Sequence, residues 1–385
     1  MRVHAFQMKN RIPGYNYSST SKKLDTGAVM HSPGYLAGMK YRALLFSIVL
    51  NILLVFLNGC GADPKNTPPS GSKIDKRFSQ GAITNPVSGY VDSIFVNADG
   101  TRIYFLHSVL QPQDFLKGTL QYPLAPFLPG HTGQGSGVAW NSDLYYTEWN
   151  GSAWSTPINM GAPINSLGNE CCIWLDPTET QVIFYRDNLG LPIEPTGNYI
   201  ATRATTRDPW GTPVALAGDY GTTNQDPAAV YRHDVHKTAS GDLYLWEHTL
   251  GANGAELVFG KWNGTSYDAP AYLSAANSAN DETQVYVSPD ERTLLFNRRD
   301  GTAQTTLIRM TRNLPTDAWG PATMVPITGF KDGANNQIWG EPTLPSTQEF
   351  MLYIRFDTGV TPWKADMMYA PGTPDSGYDT PTVLN

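Results

Sequence analysis

The chain is long enough for two domains, yet its composition indicates one kind of structure. It has 385 residues, only 16% of them charged, with 36 glycines, 29 prolines, 20 tyrosines and 10 tryptophans. This composition favours a β-rich, turn-rich globular protein. Residues 1–59 hold seven Lys/Arg and one Asp of the 27 basic and 34 acidic residues, so the remainder carries 20 basic and 33 acidic residues, a net −13. Nucleic acid is therefore a poor partner.

The beginning of the chain has the pattern of a secretory signal. Residues 1–38 show no apolar periodicity, and we expect them to be an upstream non-native extension, with translation starting at Met39, or a disordered segment. Residues 39–59 then combine Lys40 and Arg42 with an apolar run of about 15 residues, which is typical of a signal peptide and short for a membrane span of about 20 residues. The alternative is an uncleaved membrane anchor.

Cys60 follows this run and resembles the lipidated cysteine of a bacterial lipobox. We predict cleavage before Cys60 and acylation of its thiol, which would hold the protein on a membrane. Residues 60–77 then read as a lipidated cysteine and a flexible Pro/Gly-rich tether. Because Gly61 rather than Asp follows the cysteine, we expect the bacterial outer membrane, on its periplasmic or surface side.

Two further cysteines are adjacent, Cys171 and Cys172. In an oxidising compartment they could form a vicinal disulfide. The alternative, which we favour, is that they are two small buried residues at the start of a strand.

One short unit recurs along the rest of the chain. Asp281–Gly301 reads as an acidic residue, an alternating strand, a Ser-Pro-Asp turn and an apolar return strand. Related segments occur at 92–108, 170–187, 226–248 and 341–356. A third strand follows each copy, and then an aromatic residue two or three positions before a proline that can begin an outer strand. These pairs are Trp154 and Pro157, Trp210 and Pro213, Tyr267 and Pro270, Trp319 and Pro321, and Tyr378 and Pro381.

Four strands per unit, repeated at fixed intervals, predict an all-β fold, a five-bladed β-propeller of four-stranded antiparallel blades over residues 78–385. The alternative is a β-sandwich with chance similarity. The segments SPDERTLLF and WSTPINMGAPINSLGNE resemble the WD40-like (PD40) repeat of TolB and of proteins fused to OmpA-type domains. The resemblance extends from Val91 to the C-terminus and implies a propeller in the cell envelope, although TolB-like propellers have six blades.

An acidic residue opens each repeat. Because the first strand of a propeller blade is innermost, these residues are predicted to ring one end of the central channel: Asp92, Glu170, Asp226, Asp281 and Glu341. The residues that close the second strands are predicted to reach the same face: His107, Arg186, Glu247, Arg298 and Arg355. Either each acid caps its inter-blade loop, with the arginines as compensation, or the ring is a polar funnel for a cation, sugar or peptide.

The three arginines permit a further hypothesis. Arg186, Arg298 and Arg355 come from three different repeats, and three guanidinium groups could clamp a carboxylate or sulfate. Sialidases use such a triad on a propeller, but their Asp-box repeats are missing from this chain, so that family is not assigned.

Two predicted top loops depart from the repeat. Residues 109–142 form a long insertion with exposed aromatic candidates, which suits sugar stacking, a protein contact or a self-packed lid. Residues 331–340 add amides and an indole at Trp339, which we expect to contact ligand. His233 and His236 are predicted to lie in a solvated turn at the opposite face, without a third metal ligand.

Two functions follow from these residues. The first is a lipid-anchored binding scaffold whose partner is a protein or glycan, with Asp281, Glu341, Trp339 and the strand-closing residues as the ligand-binding set. The second is a five-bladed propeller glycosidase with Asp92, Glu170 and Asp226 as catalytic carboxylates and Asp281 or Glu341 as substitutes. No GxSxG, HExxH or phosphate-binding glycine motif is present. We expect no cofactor beyond a structural cation in the channel.

Overall fold

The computed structural model describes residues 75–84, 89–108, 111, 142–166, 168–187, 195–218, 230–249, 254–299, 305–329 and 337–385. The predicted signal peptide, Cys60, Asp226 and most of the two top loops lie outside these ranges. Within them, no helix is long and apolar enough to cross a membrane. The one helical element there is a short 3-10 turn, Lys76–Phe78.

The strands form separate antiparallel sheets, each following the chain from its inner to its outer strand. Blade 1 contains β1 (Tyr90–Val96), β2 (Arg102–Ser108), β3 (Ser142–Glu148) and β4 (Ile158–Asn159). Blade 2 contains β5 (Asn169–Leu175), β6 (Gln181–Asp187), β7 (Gly197–Thr202) and β8 (Val214–Ala215). Blade 3 contains β9 (Val230–Lys237), β10 (Leu243–Thr249), β11 (Ala255–Gly260) and β12 (Ala271–Tyr272).

The last two blades repeat this arrangement. Blade 4 contains β13 (Asp281–Val287), β14 (Thr293–Arg299), β15 (Thr305–Thr311) and β16 (Thr323–Met324). Blade 5 contains β17 (Gln337–Thr343), β18 (Phe350–Asp357), β19 (Lys364–Thr373), β20 (Gly377–Tyr378) and β21 (Thr382–Val383). The prediction of an all-β, five-bladed propeller is confirmed. Each short outer strand, β4, β8, β12, β16 and β21, begins within two residues of the proline predicted to start it.

The repeat unit folds as its residues predict. In blade 4 the Ser288 hydroxyl bonds Asp290 at 2.5 Å, and the Glu291 amide donates to the Ser288 carbonyl at 2.8 Å. These bonds close the turn between β13 and β14. The apolar residues of the return strands then fill the space between blades. Five buried side chains at one shared position, each 0–1% exposed, are Phe105, Phe184, Leu245, Phe296 and Tyr353.

The predicted register of the third repeat is wrong. The turn between its first two strands was expected to include His233 to His236, but these residues belong to β9, and the turn follows at Thr238–Gly241. The four opening acids that the structure describes also do not share one position. Asp281 is the first residue of β13, Glu170 the second of β5, Asp92 the third of β1 and Glu341 the fifth of β17.

The first described residues close the ring. Residues 75–84, here called the clasp, lie along blade 5 and reach blade 1. Phe78 is fully buried and stacks on Tyr369 at 4.5 Å between ring centroids. The Arg77 carbonyl accepts a 2.7 Å hydrogen bond from the Trp154 indole of blade 1. The Ile83 amide donates to the Leu384 carbonyl at 2.8 Å, so the clasp is held against the end of the chain.

Candidate functional site

Every innermost strand carries a β-bulge at the same level of the channel. The register breaks after Asp92, Cys171, His233, Thr283 and Gly340. The next residue in each strand has a positive φ: Ser93 53°, Cys172 56°, Asp234 60°, Gln284 56° and Glu341 59°. Left-handed backbone at a non-glycine residue costs roughly 1–2 kcal/mol. Bulges re-aim side chains, and here five of them bring polar groups from different blades to the channel axis.

A small cavity lies at this level. Its polar lining comes from Ser93, Cys172, Asp234, His236 and Glu341. The empty volume is about 260 Å³, but a water-sized sphere can place its centre in only about 10 Å³ of it. A space of that size accommodates about one water. The cavity as described therefore suits the tip of a ligand rather than a sugar ring.

Asp234 and Glu341 line the cavity and Asp92 lies beside Glu341; we call these three residues the pocket acids. Asp92 and Glu341 lie within hydrogen-bonding reach of each other, so they can share a proton. Ser93 Oγ donates to Glu341 Oε1 at 3.3 Å. These contacts join blades 1 and 5, and electrostatic repulsion between Asp92 and Asp234 links blade 3 to the same cluster.

Burial and mutual repulsion shift the titration of all three groups. Burial raises the pKa of Asp92 to about 6, while its bonds to Glu341 and Ser93 oppose the rise. Burial, with repulsion from Asp92, raises the pKa of Asp234 to about 7. Burial and the charges of Asp92 and Asp234 raise the pKa of Glu341 well above its ordinary value. Close carboxylates cannot all ionise without compensation, so the cluster retains protons near neutral pH.

Several other buried carboxylates in the propeller are paired with arginines, whereas the buried Asp143 accepts a 2.7 Å hydrogen bond from the Asn159 amide. Glu170 Oε1 lies 2.9 Å from Arg186 Nε, although burial still raises the pKa of Glu170 to about 7. Equivalent pairs join Glu282 to Arg298 at 2.7 Å and, with the charges exchanged between strands, Arg232 to Glu247 at 2.7 Å. In blade 5, Arg355 pairs with Asp366 of the next strand. Among the described residues, no Lys or Arg contributes to the pKa shifts of the pocket acids.

His236 is the buried base of the cavity. It is 5% exposed, and its Nδ1 has no hydrogen-bond partner among the described residues. Its Nε2 lies 4.0 Å from Asp234 Oδ1. Burial lowers the pKa of His236 to about 3, so the ring is neutral at pH 7 and does not compensate Asp234. The expectation of a solvated turn at the opposite face is wrong for this residue.

Aromatic side chains surround His236. Its ring contacts Phe95 of blade 1 at 6.2 Å and Tyr286 of blade 4 at 5.6 Å between centroids. The residues at this level of the five blades are all at most 7% exposed: Phe95, Trp174, His236, Tyr286 and Thr343. These side chains form a layer that fills the channel just beyond the level of the bulges and the cavity.

The adjacent cysteines lie beside the pocket acids. Both are free thiols, Cys172 buried and Cys171 partly exposed. Cys172 Sγ lies 3.5 Å from His233 Nδ1. Contact with Cys171 and burial raise the pKa of Cys172. For Cys171 the contact with Cys172 lowers the pKa, but burial together with the charges of the pocket acids raises it overall. The thiols are therefore neutral and poor nucleophiles at pH 7. Among the described residues, no three His, Cys, Asp or Glu side chains are arranged to hold a metal.

The sequence-predicted site residues separate into two groups. Asp92 and Glu341 meet at the cavity, whereas Asp281 Oδ1 accepts a bond from the Ala255 amide at 3.1 Å and Glu170 forms its ion pair. Arg186, Arg298 and Arg355 are each engaged with a carboxylate of their own blade. The arrangement does not form the predicted anion clamp.

Two other predicted contacts lie in the protein interior. Trp339 belongs to β17, is 2% exposed and packs on Tyr353 at 5.6 Å, so its expected exposure on a ligand-binding loop is wrong. His107 is fully buried in β2. Sequence reasoning missed Asp234 and His236. The turn residues Ala239-Ser240-Gly241-Asp242, aligned with the Ala98-Asp99-Gly100-Thr101 turn of blade 1, were the signal that would have placed them.

Comparison with known proteins finds only distant structural similarity. No family model and no curated protein matches the chain. Among solved structures, it is similar to a putative TolB from Agrobacterium tumefaciens, with 10% identity, TM-score 0.40, and coverage of 77% of this chain and 81% of the other. An exo-β-1,3-galactanase from Clostridium thermocellum gives 10% identity, TM-score 0.45, and coverage of 78% and 63%. An α-L-arabinofuranosidase from Coprinopsis cinerea gives 13% identity, TM-score 0.41, and coverage of 77% and 92%.

These likenesses concern the fold alone. The strands and the cavity together define a five-bladed β-propeller with an acidic pocket at its axis. The activities of the similar proteins do not transfer at this level of identity.

Proposed function

We propose that the protein is a binding module whose central pocket receives part of a protein or glycan ligand. The observation that carries this proposal is the cluster of Asp234 and Glu341, which line one cavity, with Asp92 beside Glu341. Buried carboxyls without a basic partner destabilise a fold when they ionise. Strained bulges and unfavourable charges together are more typical of a binding site than of a structural core.

The proposed location is the bacterial cell envelope. The signal-like segment 39–59 and Cys60 support a lipid anchor in the outer membrane, and residues 60–74, the part of the predicted tether that precedes the clasp, support a tether. A tethered propeller would present its pocket and loops to a ligand near the membrane surface.

The second candidate is a glycosidase, and the raised carboxyl pKa values favour it. A carboxyl that retains its proton near pH 6–7 can act as a general acid, with an ionised neighbour as base or nucleophile. Glycoside hydrolysis needs carboxyl groups roughly 5–9.5 Å apart. Asp92 and Glu341 lie within hydrogen-bonding reach of each other, which is closer than this range. Asp234 with either of them is then the pair to test, in place of the predicted Glu170 and Asp226.

A glycan array and a panel of chromogenic glycosides, applied to the same protein, separate these functions. The variants are Asp234→Asn and Glu341→Gln, and the matched control is Glu349→Gln, which changes an exposed acid. If ligand binding is lost in both pocket variants and no sample shows turnover, the result supports the binding module. Turnover in the wild type that the pocket variants abolish supports the enzyme. Binding that persists unchanged in both variants refutes a role for the pocket.

A further inference from the structure

We infer that the group received by the pocket is a primary alkylammonium, of the kind that ends a lysine side chain. This inference rests on the proposed binding function and names the chemistry of the ligand. It follows from the charge of the pocket, from its size and from the buried imidazole beside it.

The first argument is the missing positive charge. Glu170, Glu282 and Asp366 each have a guanidinium partner within their blade. The three pocket acids have no cationic neighbour among the described residues, and His236 next to Asp234 is neutral. A ligand cation would supply the compensation that arginine supplies elsewhere in this propeller. Charge-assisted bonds from an ammonium to carboxylates are roughly twice as strong as neutral ones.

The size of the cavity also favours an ammonium group. The cavity admits about one water-sized centre, and an ammonium group is close to a water in size. A guanidinium plane, a sugar ring or a trimethylammonium group is larger. A slender methylene chain lets the charged tip enter while the bulk of the ligand stays outside, as lysine stems do on other surfaces.

The third argument is the unpartnered imidazole. His236 lines the cavity, is 5% exposed and leaves Nδ1 without a partner among the described residues. An ammonium group has three donors and no acceptor. The pocket offers matching acceptors, namely the oxygens of Glu341 and Asp234 and the neutral imidazole of His236. Ile94, Ile173, Val285 and Pro342 also line the cavity and offer apolar surface to the methylene stem.

Binding is then linked to pH through the pocket acids. The groups that face them are His233 and His236 from blade 3, the two thiols from blade 2 and the Tyr90 phenol from blade 1. Blade 4 contributes the uncharged Gln284, and blade 5 contributes Thr343 beside Glu341. Because an ammonium requires ionised carboxylates, its binding expels protons from them, and affinity is expected to rise at least tenfold between pH 5 and pH 8.

The test uses the full chain with Cys60→Ala, to remove lipid heterogeneity, and calorimetric titration with small probes. The probes are n-butylamine, Nα-acetyl-lysine methylamide, n-butanol, D-glucosamine, the arginine analogue of the lysine probe, and CaCl2. We expect the two alkylamines to bind at pH 8 at least tenfold more tightly than the other probes, with net proton release measured in buffers of different ionisation enthalpy. Glu341→Gln and Asp234→Asn are expected to lower alkylamine affinity at least tenfold, and Glu349→Gln to leave it unchanged.

Each remaining outcome overturns the inference. Equal binding of butanol would remove the charge argument, and equal binding of glucosamine or the arginine analogue would remove the size argument. Tighter binding of calcium would make the pocket a metal site. If a glycan or protein ligand that presents no amine binds the wild type, and this binding is lost in Glu341→Gln, the proposed function stands and the ammonium assignment fails.

If a pocket variant fails to fold, Ser93→Ala tests the same cavity, because it removes the hydroxyl that positions Glu341.

Discussion

Replacing Asp234 with Asn is expected to stabilise the propeller at pH 8. Asp234 lies in the cavity with its side chain 13% exposed; its basic neighbour His236 is neutral, and no Lys or Arg of the described residues pairs with it. Burial and Asp92 raise its pKa from 3.8 to about 7. Because the folded-state pKa lies above that of the unfolded chain, the neutral form favours folding at low pH, and this contribution is lost as the pH rises through about 7. The asparagine amide cannot ionise, so the variant does not lose this contribution to stability as the pH rises.

The magnitude follows from the size of the shift. The pKa rises by roughly 3 units from 3.8 to about 7, and each unit corresponds to about 1.4 kcal/mol. The upper limit is therefore about 4 kcal/mol at pH 8. This value is reduced by the partial exposure of the side chain, by relaxation of Asp92 and Glu341, and by the imperfect match between the acid and the amide. We therefore expect the free energy of unfolding to rise by about 2 kcal/mol. At pH 4 the two proteins should have nearly equal stability.

Urea unfolding of both proteins at pH 4, 6 and 8 measures the effect. The free energy of unfolding of the wild type should fall between pH 4 and pH 8 more steeply than that of Asp234→Asn. Glu349→Gln, at an exposed position, is the control and should follow the wild type. A pocket variant that is less stable than the wild type at pH 8 would show that Asp234 is compensated in the folded protein, and the charge argument for the pocket would fail.

The remaining predictions concern other parts of the chain. Glu282→Gln leaves the Arg298 guanidinium without its partner and should cost about 3 kcal/mol in urea unfolding; an unchanged midpoint would contradict a structural role for that pair. Trp339→Ala should cost about 3–5 kcal/mol in the same assay, because the side chain is 2% exposed, and a loss of ligand binding without destabilisation would contradict its core position. In cells, Cys60→Ala should abolish palmitate labelling and membrane association; retained labelling would place the lipid elsewhere.

Much of the architecture could be predicted because the repeat is local. Ser288-Pro289-Asp290 determines a turn, and the alternation of Val285 and Val287 with polar residues determines a strand, so each hairpin can be read from a short window. The prolines that start the outer strands are equally local. Five such units in succession predict a closed ring, since a single hairpin cannot bury its faces alone.

The pocket could be predicted only in part, because the register of the strands that form it depends on bulges. A bulge inserts one residue and reverses which side chains point inward, and nothing in the local sequence of β9 marks Asp234 as the inserted residue. Asp92 and Glu341 were identified as channel residues from their place in the repeat. Asp234 was missed because the blade 3 strand was read four residues too early, from Asp226 instead of Val230.

Four of the five blade junctions are spanned by continuous chain, whereas blade 5 meets blade 1 through contacts alone, helped by the clasp. Asp92 belongs to blade 1 and Glu341 to blade 5, so these two neighbouring carboxyl groups lie on opposite sides of this junction. Ionising both groups would push apart the two blades that no peptide bond joins. A proton or a ligand cation between them would instead hold the two blades together. Occupancy of the pocket and opening of the ring are therefore thermodynamically linked. Hydrogen exchange at the backbone amides of Phe78 and Ile83 should slow when the pocket is filled.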